Sequence, residues 1–189
     1  MAILPIVTYN DPILKKEADP VKEMTDELGM LITDMFQTMY NSNGVGLAAP
    51  QIGKSIRLFV IDADTMTEDL EDEEDKGPMV FINPEILTKK GEKVRLEEGC
   101  LSIPDVRDEI TRFDEIIIRY HDRNFDEHTD SYSGWLSRII QHEVDHLNGI
   151  LFLDHLSPFR RRIHKFTLKK IDAGKLETEY PIVPKKQVG

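Results

Sequence analysis

The stretch Gln141–Gly149, which reads QHEVDHLNG, decides how the rest of the chain is interpreted. His142 and His146 stand four residues apart in it, and on an α-helix this spacing places both imidazole rings on one face, where they can bind a single ion. Glu143 lies one step around the helix and would sit beside that ion. The HExxH pattern therefore predicts a helix that supplies two metal ligands and a carboxylate to one site.

Apolar residues recur around this motif with helical spacing and predict an amphipathic helix. At about 100° per residue, Trp135, Ile139 and Val144 fall on one arc, and Glu143 falls in its middle. A carboxylate on a buried face is costly unless a charge or a hydrogen bond compensates it, so a nearby metal ion is a natural explanation. The alternative is a core helix with two hydrogen-bonded histidines. Candidate residues for the two ends of the helix are Asp130, Ser131, Ser133 and Gly149.

The composition fits one globular domain. A chain of 189 residues with 40% hydrophobic and 31% charged residues can bury a sizeable core. We predict a single domain over residues 1–189, in which about 160–189 form a tail or peripheral element. Lysine and arginine total 24 against 35 acidic residues, and the net charge of −11 argues against a diffuse nucleic-acid binder and against specific DNA binding.

The single cysteine, Cys100, excludes an internal disulfide and favours a reducing compartment. The N-terminal MAILPIV has no basic flank, and no stretch approaches 18 apolar residues, so neither a signal peptide nor a membrane partner is expected. We therefore predict a cytoplasmic protein.

The order of the predicted elements indicates an α+β fold. Residues 1–24 are interrupted by prolines and should be extended, whereas an amphipathic helix is predicted from about Thr25 to Asn41. The acidic run 62–75 reads as a loop. Because strands do not alternate with long helices, the sheets should be mostly antiparallel. Strands are predicted at Ile56–Ile61, Met79–Ile82, Lys93–Leu96, Glu109–Arg112, Glu115–Tyr120 and Ile150–Leu153.

A second informative stretch is Gly44–Gly53, which reads GVGLAAPQIG. Its glycines permit unusual backbone angles and a close approach to a ligand, and Gln51 offers an amide that can donate and accept hydrogen bonds. A nucleotide-binding loop is disfavoured, because the stretch lacks GxGxxG spacing and a following Lys-Ser/Thr. On its own, this motif indicates contact with a ligand without specifying the ligand.

The third stretch, residues 97–104, reads EEGCLSIP and places Cys100 in a bent loop, because Gly99 frees the backbone and Pro104 ends the extended path. A lone cysteine is usually an inert small hydrophobe. Together with the HExxH histidines, however, its thiolate would give a three-ligand site with one open coordination position, as in catalytic metal sites.

Two other third ligands must be weighed. The extended metzincin pattern requires a histidine where this chain has Phe152, so that class is excluded. A thermolysin-like site would take a glutamate downstream of the helix, and Glu177 or Glu179 could nominally serve. Both lie in the tail outside any clear helix, and the glutamate alternative stays open at this point.

GVGLAAPQIG, EGCLS and QHEVDHLNG together resemble the three signature motifs of bacterial peptide deformylases, in the same order and separation. The similarity extends from VTYNDPILKKEADPV near the N-terminus to GILFLDHL after the helix. It implies one deformylase-like catalytic domain of α+β class. Mostly antiparallel sheets would pack around a central HExxH-bearing helix, with an N-terminal helix and a C-terminal basic segment.

The resemblance also implies the activity and the residues that carry it. The activity is metal-dependent hydrolysis of the N-formyl group from the initiator methionine of newly synthesised polypeptides, which releases formate. One divalent ion is implied, natively Fe²⁺, with Zn²⁺, Ni²⁺ or Co²⁺ as substitutes. The implied site comprises the metal ligands Cys100, His142 and His146, the acid–base Glu143, and an oxyanion site formed by Gln51 and the backbone N–H of Leu101.

A methionine pocket needs apolar walls beside the metal. Val45, Trp135, Ile139 and the stem of Arg138 are placed for this role on the first loop and the helix. Gly46 would pair with an extended substrate backbone. Two other functions are weighed: a zinc metallopeptidase of HExxH type, and a non-enzymatic domain with a structural metal, for which no fourth ligand is evident.

One basic run, residues 159–171, holds six basic residues and no acid in an otherwise acidic chain. This is the surface suited to a polyanion, so we expect the ribosome as a partner through this segment. N-formyl-Met nascent peptides are the substrate that the resemblance implies. The alternative is that the run pairs with the acidic loop 62–75, which holds nine acids and no base.

Overall fold

The computed structural model describes residues 2–64 and 76–183 and shows an α+β fold with an antiparallel sheet, as predicted. Most of the predicted acidic loop, residues 65–75, lies outside the described residues. The strands are β1 (Ile6–Val7), β2 (Gly46–Ala48), β3 (Leu58–Ile61), β4 (Met79–Gly99), β5 (Arg107–His121), β6 (Glu127–Ser133) and β7 (Ile182–Val183). The helices are α1 (Asp26–Asn41), α2 (Gly134–Leu147), α3 (Pro158–Ile163) and α4 (Lys165–Asp172).

One antiparallel sheet in the order β2-β3-β4-β5-β6 separates α1 from α2. Alternate residues of a strand point to opposite faces, and in β3 both faces are buried. Phe59 and Ile61 belong to a cluster with the apolar residues of α2, whereas Leu58 and Val60 belong to a cluster with those of α1. The continuous apolar run of β3 is therefore explained by a helix on each face of the sheet.

Several strand predictions were too short or wrong. The strands predicted at Met79–Ile82 and Lys93–Leu96 are the two ends of β4, which continues past Pro84 because its register with β5 shifts between Ile82 and Glu85. The strands predicted at Glu109–Arg112 and Glu115–Tyr120 likewise form the single strand β5. β2 and β6 were missed, and Ile150–Leu153 forms a coil that enters a 3-10 turn, Phe152–His155, rather than a strand.

The helix α2 carries His142, Glu143 and His146 and is enclosed on almost every side. An amphipathic helix is expected to expose the polar residues opposite its apolar arc, but Ser137, Gln141 and Asp145 are buried as well. Each is hydrogen-bonded; Gln141, for example, donates to the carbonyl of Phe113 at 2.8 Å. Amphipathic spacing identified the helix correctly, but its polar face binds other parts of the protein.

Of the four residues predicted for the ends of α2, Ser133 and Gly149 lie there, whereas Asp130 and Ser131 are inside β6. Ser133 is the N-cap residue, although its side chain makes no capping hydrogen bond, and Gly149 adopts φ of +72° just after the helix. The N-terminal segment passes across this end, where the Ala18 N–H donates to the Leu147 carbonyl at 2.9 Å. A Cβ at Gly149 would lie 2.6 Å from the Lys15 carbonyl oxygen. Glycine is needed at position 149 for two reasons. Its positive φ is unfavourable for other residues, and the backbone of Lys15 leaves no space for a side chain.

The C-terminal basic run forms α3 and α4, and part of it is bound to the body of the protein. Asp108, whose carboxylate is buried, accepts hydrogen bonds from Arg160 and from His164. Burial alone would raise the pKa of Asp108, but these hydrogen bonds lower it to about 2. No helix in the described ranges has the length and apolar character needed to span a lipid bilayer.

We predict that Gly149→Ala destabilises the protein more than Gly53→Ala does. Both glycines have positive φ, but a Cβ at Gly53 meets no atom within 4 Å. Gly53→Ala should therefore cost only the left-handed strain of about 1–2 kcal/mol, whereas Gly149→Ala must also displace the backbone at Lys15. Urea unfolding of both variants measures the difference, and equal losses would show that the Lys15 contact carries no strain.

Candidate metal centre

Three side chains from two parts of the chain meet beside α2. Cys100 follows directly after β4, and His142 and His146 lie one turn apart on α2. Their ligand atoms all lie within 4.8 Å of one another, and Cys100 Sγ is 3.3 Å from His146 Nε2. A thiol and two imidazoles at these distances are a donor set that fits a divalent transition metal. Glu177 and Glu179, the alternative third ligands, are not part of this group.

The two histidines contact their neighbours through different ring nitrogens: His142 contacts Glu98 through Nδ1, and His146 contacts Cys100 through Nε2. His142 Nδ1 lies 3.0 Å from a carboxylate oxygen of Glu98, so Nδ1 carries the proton and Nε2 is left for a ligand. Burial would lower the pKa of His142, but hydrogen bonds with Cys100 and Glu98 raise it. Burial and the neighbouring His142 hold the pKa of His146 well below its ordinary value.

Glu98 is the centre of a buried ion-pair network that sequence reasoning missed. Arg112 donates to both of its oxygens at 2.6 and 2.9 Å, and Arg138 donates to it at 2.6 Å. Arg112 also donates to Asp145 at 2.8 Å, and Asp145 is bonded to His155. Burial would raise the pKa of Glu98, but its hydrogen bonds with His142 and Arg112 lower it strongly. The network fixes His142 through an ionised carboxylate.

Glu143 differs from Glu98 in having no ionic partner at hydrogen-bond distance. Its Oε2 atom is buried and makes no hydrogen bond within residues 2–64 and 76–183. Burial raises the pKa of Glu143 to about 7, against the charges of His142 and Arg112, which lower it. A Cβ at Gly46 would collide with Glu143 Oε1. Gly46 is therefore a glycine because the Glu143 carboxylate lies against its backbone.

Gln51 and Leu101 flank the thiol. Gln51 accepts a hydrogen bond from the Ala48 N–H at 2.8 Å, which leaves its amide nitrogen directed at Cys100 Sγ (3.4 Å) and Ser102 Oγ (3.3 Å). The backbone N–H of Leu101 makes no hydrogen bond to any described residue. The Gln51 amide nitrogen is therefore directed at the thiol, and the N–H of the residue that follows Cys100 has no partner in the described ranges.

A cavity of about 860 Å³ opens from this centre, a volume typical of ligand pockets. The five predicted substrate contacts Val45, Gly46, Trp135, Arg138 and Ile139 all line it. The guanidinium of Arg138 is occupied by Glu98 and by the carbonyls of Val94 and Ile110, so only its stem is free. Sequence reasoning missed the outer wall, formed by Glu177, Thr178, Glu179 and Tyr180.

Comparison with known proteins gives a consistent result. Residues 3–162 match the family model described as polypeptide deformylase. The chain belongs to the peptide deformylase family. It is 48% identical to the peptide deformylase of Christiangramia forsetii, with 94% of both chains covered, and 46% identical to that of Salinibacter ruber, with 97% and 95% covered.

Solved structures agree with this assignment. A peptide deformylase from Legionella pneumophila is 41% identical, with a TM-score of 0.81 and coverage of 92% of this chain and 98% of that one. The Ehrlichia chaffeensis enzyme in complex with actinonin is 39% identical, with a TM-score of 0.83 and coverage of 94% and 100%. The protein is therefore a metal-dependent hydrolase that removes the N-formyl group from newly synthesised polypeptides, and a general zinc metallopeptidase is not favoured.

We predict that Glu98→Gln destabilises the metal-free protein by about 3 kcal/mol, because it leaves buried arginines without their counter-charge. Glu97→Gln is the matched control. Glu97 is exposed, and its ion pair with Arg107 is long, at 3.6 Å, so loss of this pair should lower the free energy of unfolding by less than about 0.5 kcal/mol. Urea unfolding measures both values.

The effect of Glu98→Gln should depend on pH in a defined direction. Because the pKa of Glu98 is depressed in the folded protein, its stabilisation is present above the ordinary glutamate pKa of about 4.3 and is lost as the pH falls further. The difference from wild type should therefore shrink in acid. A difference that grows below pH 4 would contradict the assignment of Glu98 as a buried carboxylate.

Proposed function

We propose that Cys100, His142 and His146 hold the divalent ion of the enzyme, natively Fe²⁺, with Zn²⁺, Ni²⁺ or Co²⁺ as substitutes. The observation that carries this proposal is the convergence of three donor atoms beside Glu143, whose buried oxygen has no partner among the described residues. A thiolate with two imidazoles suits these ions. The helix α2 is then the central element of the fold, because it supplies two ligands and the carboxylate.

Glu143 is the acid–base residue of this mechanism. When bound, the divalent ion supplies Lewis acidity and lowers the pKa of a water molecule. Glu143 Oε2 accepts a proton from the attacking water and returns it to the leaving amine of methionine, while the C–N bond to the formyl group breaks and formate is released. The Oε2 atom suits both steps because it is buried and no hydrogen bond from a described residue competes for the proton.

Gln51 and Leu101 stabilise the negative charge that develops on the formyl oxygen. The Gln51 amide N–H that contacts Cys100 Sγ and the backbone N–H of Leu101 are the two donors. Losing one such donor typically costs about 3 kcal/mol of transition-state stabilisation. Gln51 is held for this role by Ala48 and Ser102, so little ordering is needed during the reaction.

The methionine side chain of the substrate packs against Val45, Trp135, Ile139 and the stem of Arg138. The substrate backbone pairs with Gly46, because β2 is the edge strand of the described sheet and can accept an extended peptide. The whole chain, 1–189, is one catalytic domain with a peripheral segment from about residue 160, and we place it in the bacterial cytoplasm, where formylated chains are made.

Two variants should separate the roles within this centre. Glu143→Gln is expected to keep its metal and to lose at least about 100-fold in formate release from a formyl-Met-peptide, since only proton transfer is removed. Cys100→Ser is expected to lose metal, because a hydroxyl is a poor substitute for a thiolate. Metal analysis of anaerobically purified protein and a formate assay give the readouts.

The wild-type protein serves as the reference in the same assay, with internal peptide cleavage scored in parallel. Full metal content in Cys100→Ser would return the ligand role to Glu177 or Glu179. Internal cleavage without formate release would favour the metallopeptidase.

The basic segment 159–171 supports a second, independent proposal, which is binding to ribosomal RNA. Phe159 and Phe166 are 73% and 72% exposed, and they stand among basic side chains. Arg160 is bonded to Asp108, which lies outside the acidic loop 62–75. Residues 65–75 of that loop are not among the described residues, so pairing with the loop stays a prediction. Arg161 has only a 3.7 Å contact with Asp154. The charges offered to a polyanion are therefore those beyond Arg160.

Reversing three of those charges, Arg161→Glu, Arg162→Glu and Lys165→Glu together, should weaken co-sedimentation with ribosomes at low salt. Turnover of a short formyl-Met-peptide should not change. The control is the reversal of Lys89, Lys90 and Lys93 on the β4–β5 hairpin, which alters the net charge equally. Equal weakening by both triple variants would reject the segment as a specific binding surface.

A further inference from the structure

The loop that carries Cys100 and Leu101 is held by hydrogen bonds to three successive carbonyl groups. The Cys100 carbonyl accepts from the Ile103 N–H at 2.9 Å, and the Ser102 carbonyl accepts from the Tyr9 N–H at 2.9 Å. Between them, the Leu101 carbonyl accepts from the hydroxyl of Tyr180 at 2.8 Å. Of these three donors, the Tyr180 hydroxyl is the one side-chain group.

These contacts determine where the Leu101 N–H points. That N–H lies in the same peptide plane as the Cys100 carbonyl, which the Ile103 N–H holds. Tyr180 holds the next peptide plane through the Leu101 carbonyl. With a hydrogen bond on each of these two peptide planes, rotation about the dihedral angles of Leu101, which would turn its N–H away, is restricted. The oxyanion donor is thus oriented from both sides of its own residue.

Two of the three donors, Tyr9 and Tyr180, come from outside the loop, one from the N-terminal and one from the C-terminal part of the chain. Tyr9 stands two residues after β1, and Tyr180 stands two residues before β7. These strands pair in parallel, Ile6 with Ile182 and Val7 with Val183, and the Ile6 N–H donates to the Pro181 carbonyl at 2.9 Å. The pairing of the termini therefore brings Tyr180 to the loop, and Tyr180 also forms part of the cavity wall.

Tyr180 is suited to act as a hydrogen-bond donor. Its ring is half-buried and packs against the cluster beneath α1. Burial and the nearby Cys100 raise the pKa of the Tyr180 hydroxyl, so it keeps its proton. The Thr178 hydroxyl donates to the Tyr180 carbonyl at 2.6 Å and stiffens the turn before it.

We propose that Tyr180 is a positioning residue for deformylation, which fixes the backbone of Leu101 and thereby aims its N–H at the formyl oxygen. This inference rests on the proposed role of Leu101 in the reaction. Tyr180 acts through Leu101 and exchanges no proton with the substrate. A C-terminal segment, rather than the three sequence motifs alone, then completes the oxyanion site.

The test is Tyr180→Phe, which removes the hydroxyl and keeps the ring. We expect kcat on a formyl-Met-peptide to fall roughly fivefold, the effect of one hydrogen bond of ordinary strength, with KM and metal content unchanged. Amide exchange measured by NMR gives a readout independent of activity: the Ile103 N–H, bonded across the turn, should exchange faster. Tyr40→Phe is the matched control, since the Tyr40 hydroxyl donates to Asp62 at an exposed position.

Three outcomes overturn the proposal while the wild type still releases formate. The first is an unchanged kcat. The second is a lowered kcat with unchanged Ile103 exchange, which would mean that Tyr180 acts other than by holding the loop. The third is an equal effect of Tyr40→Phe on both readouts. Absence of formate release by the wild type would instead reject the proposed function itself.

Discussion

The rest of the centre depends on the ion pairs and hydrogen bonds that the buried carboxylate of Glu98 makes. Glu98 is the second-last residue of β4, and its partners Arg112 and Arg138 come from β5 and α2. The same carboxylate orients His142. Three elements of the fold and one candidate ligand are therefore joined through a single charge, in a site where losing any partner leaves another buried charge uncompensated.

The network also explains why α2 could not be read fully from its sequence. Helical spacing identified its apolar arc, and the four-residue separation of His142 and His146 placed both rings on one face. The burial of Arg138 and Asp145 depends on partners more than 25 residues away in the chain, which no local pattern records. Polar residues on a helix usually face solvent, and here tertiary contacts override that expectation.

The strands show the same limit of local reasoning. Short apolar runs located both ends of β4, but the middle of this strand has no alternation to detect, because residues on both of its faces are largely exposed. β2 was hidden because Gly46 is a poor strand residue in isolation. A side chain at Gly46 would collide with Glu143. The glycine that lowers the strand propensity of β2 is therefore the residue that makes room for the Glu143 carboxylate. Tyr180 was missed because its partner, Leu101, lies 79 residues away in sequence.

The site thus contains two kinds of buried carboxylate on or beside one helix. Glu98 and Asp145 are paired with arginine and histidine, and their pKa values are lowered, so they serve as fixed charges. Glu143 has no such pair, and burial raises its pKa to about 7. Environments that push the pKa values of neighbouring acids apart separate structural carboxylates from those that exchange protons. The arginines of the network bind Glu98 and Asp145, whereas the buried Oε2 atom of Glu143 has no partner in the described ranges.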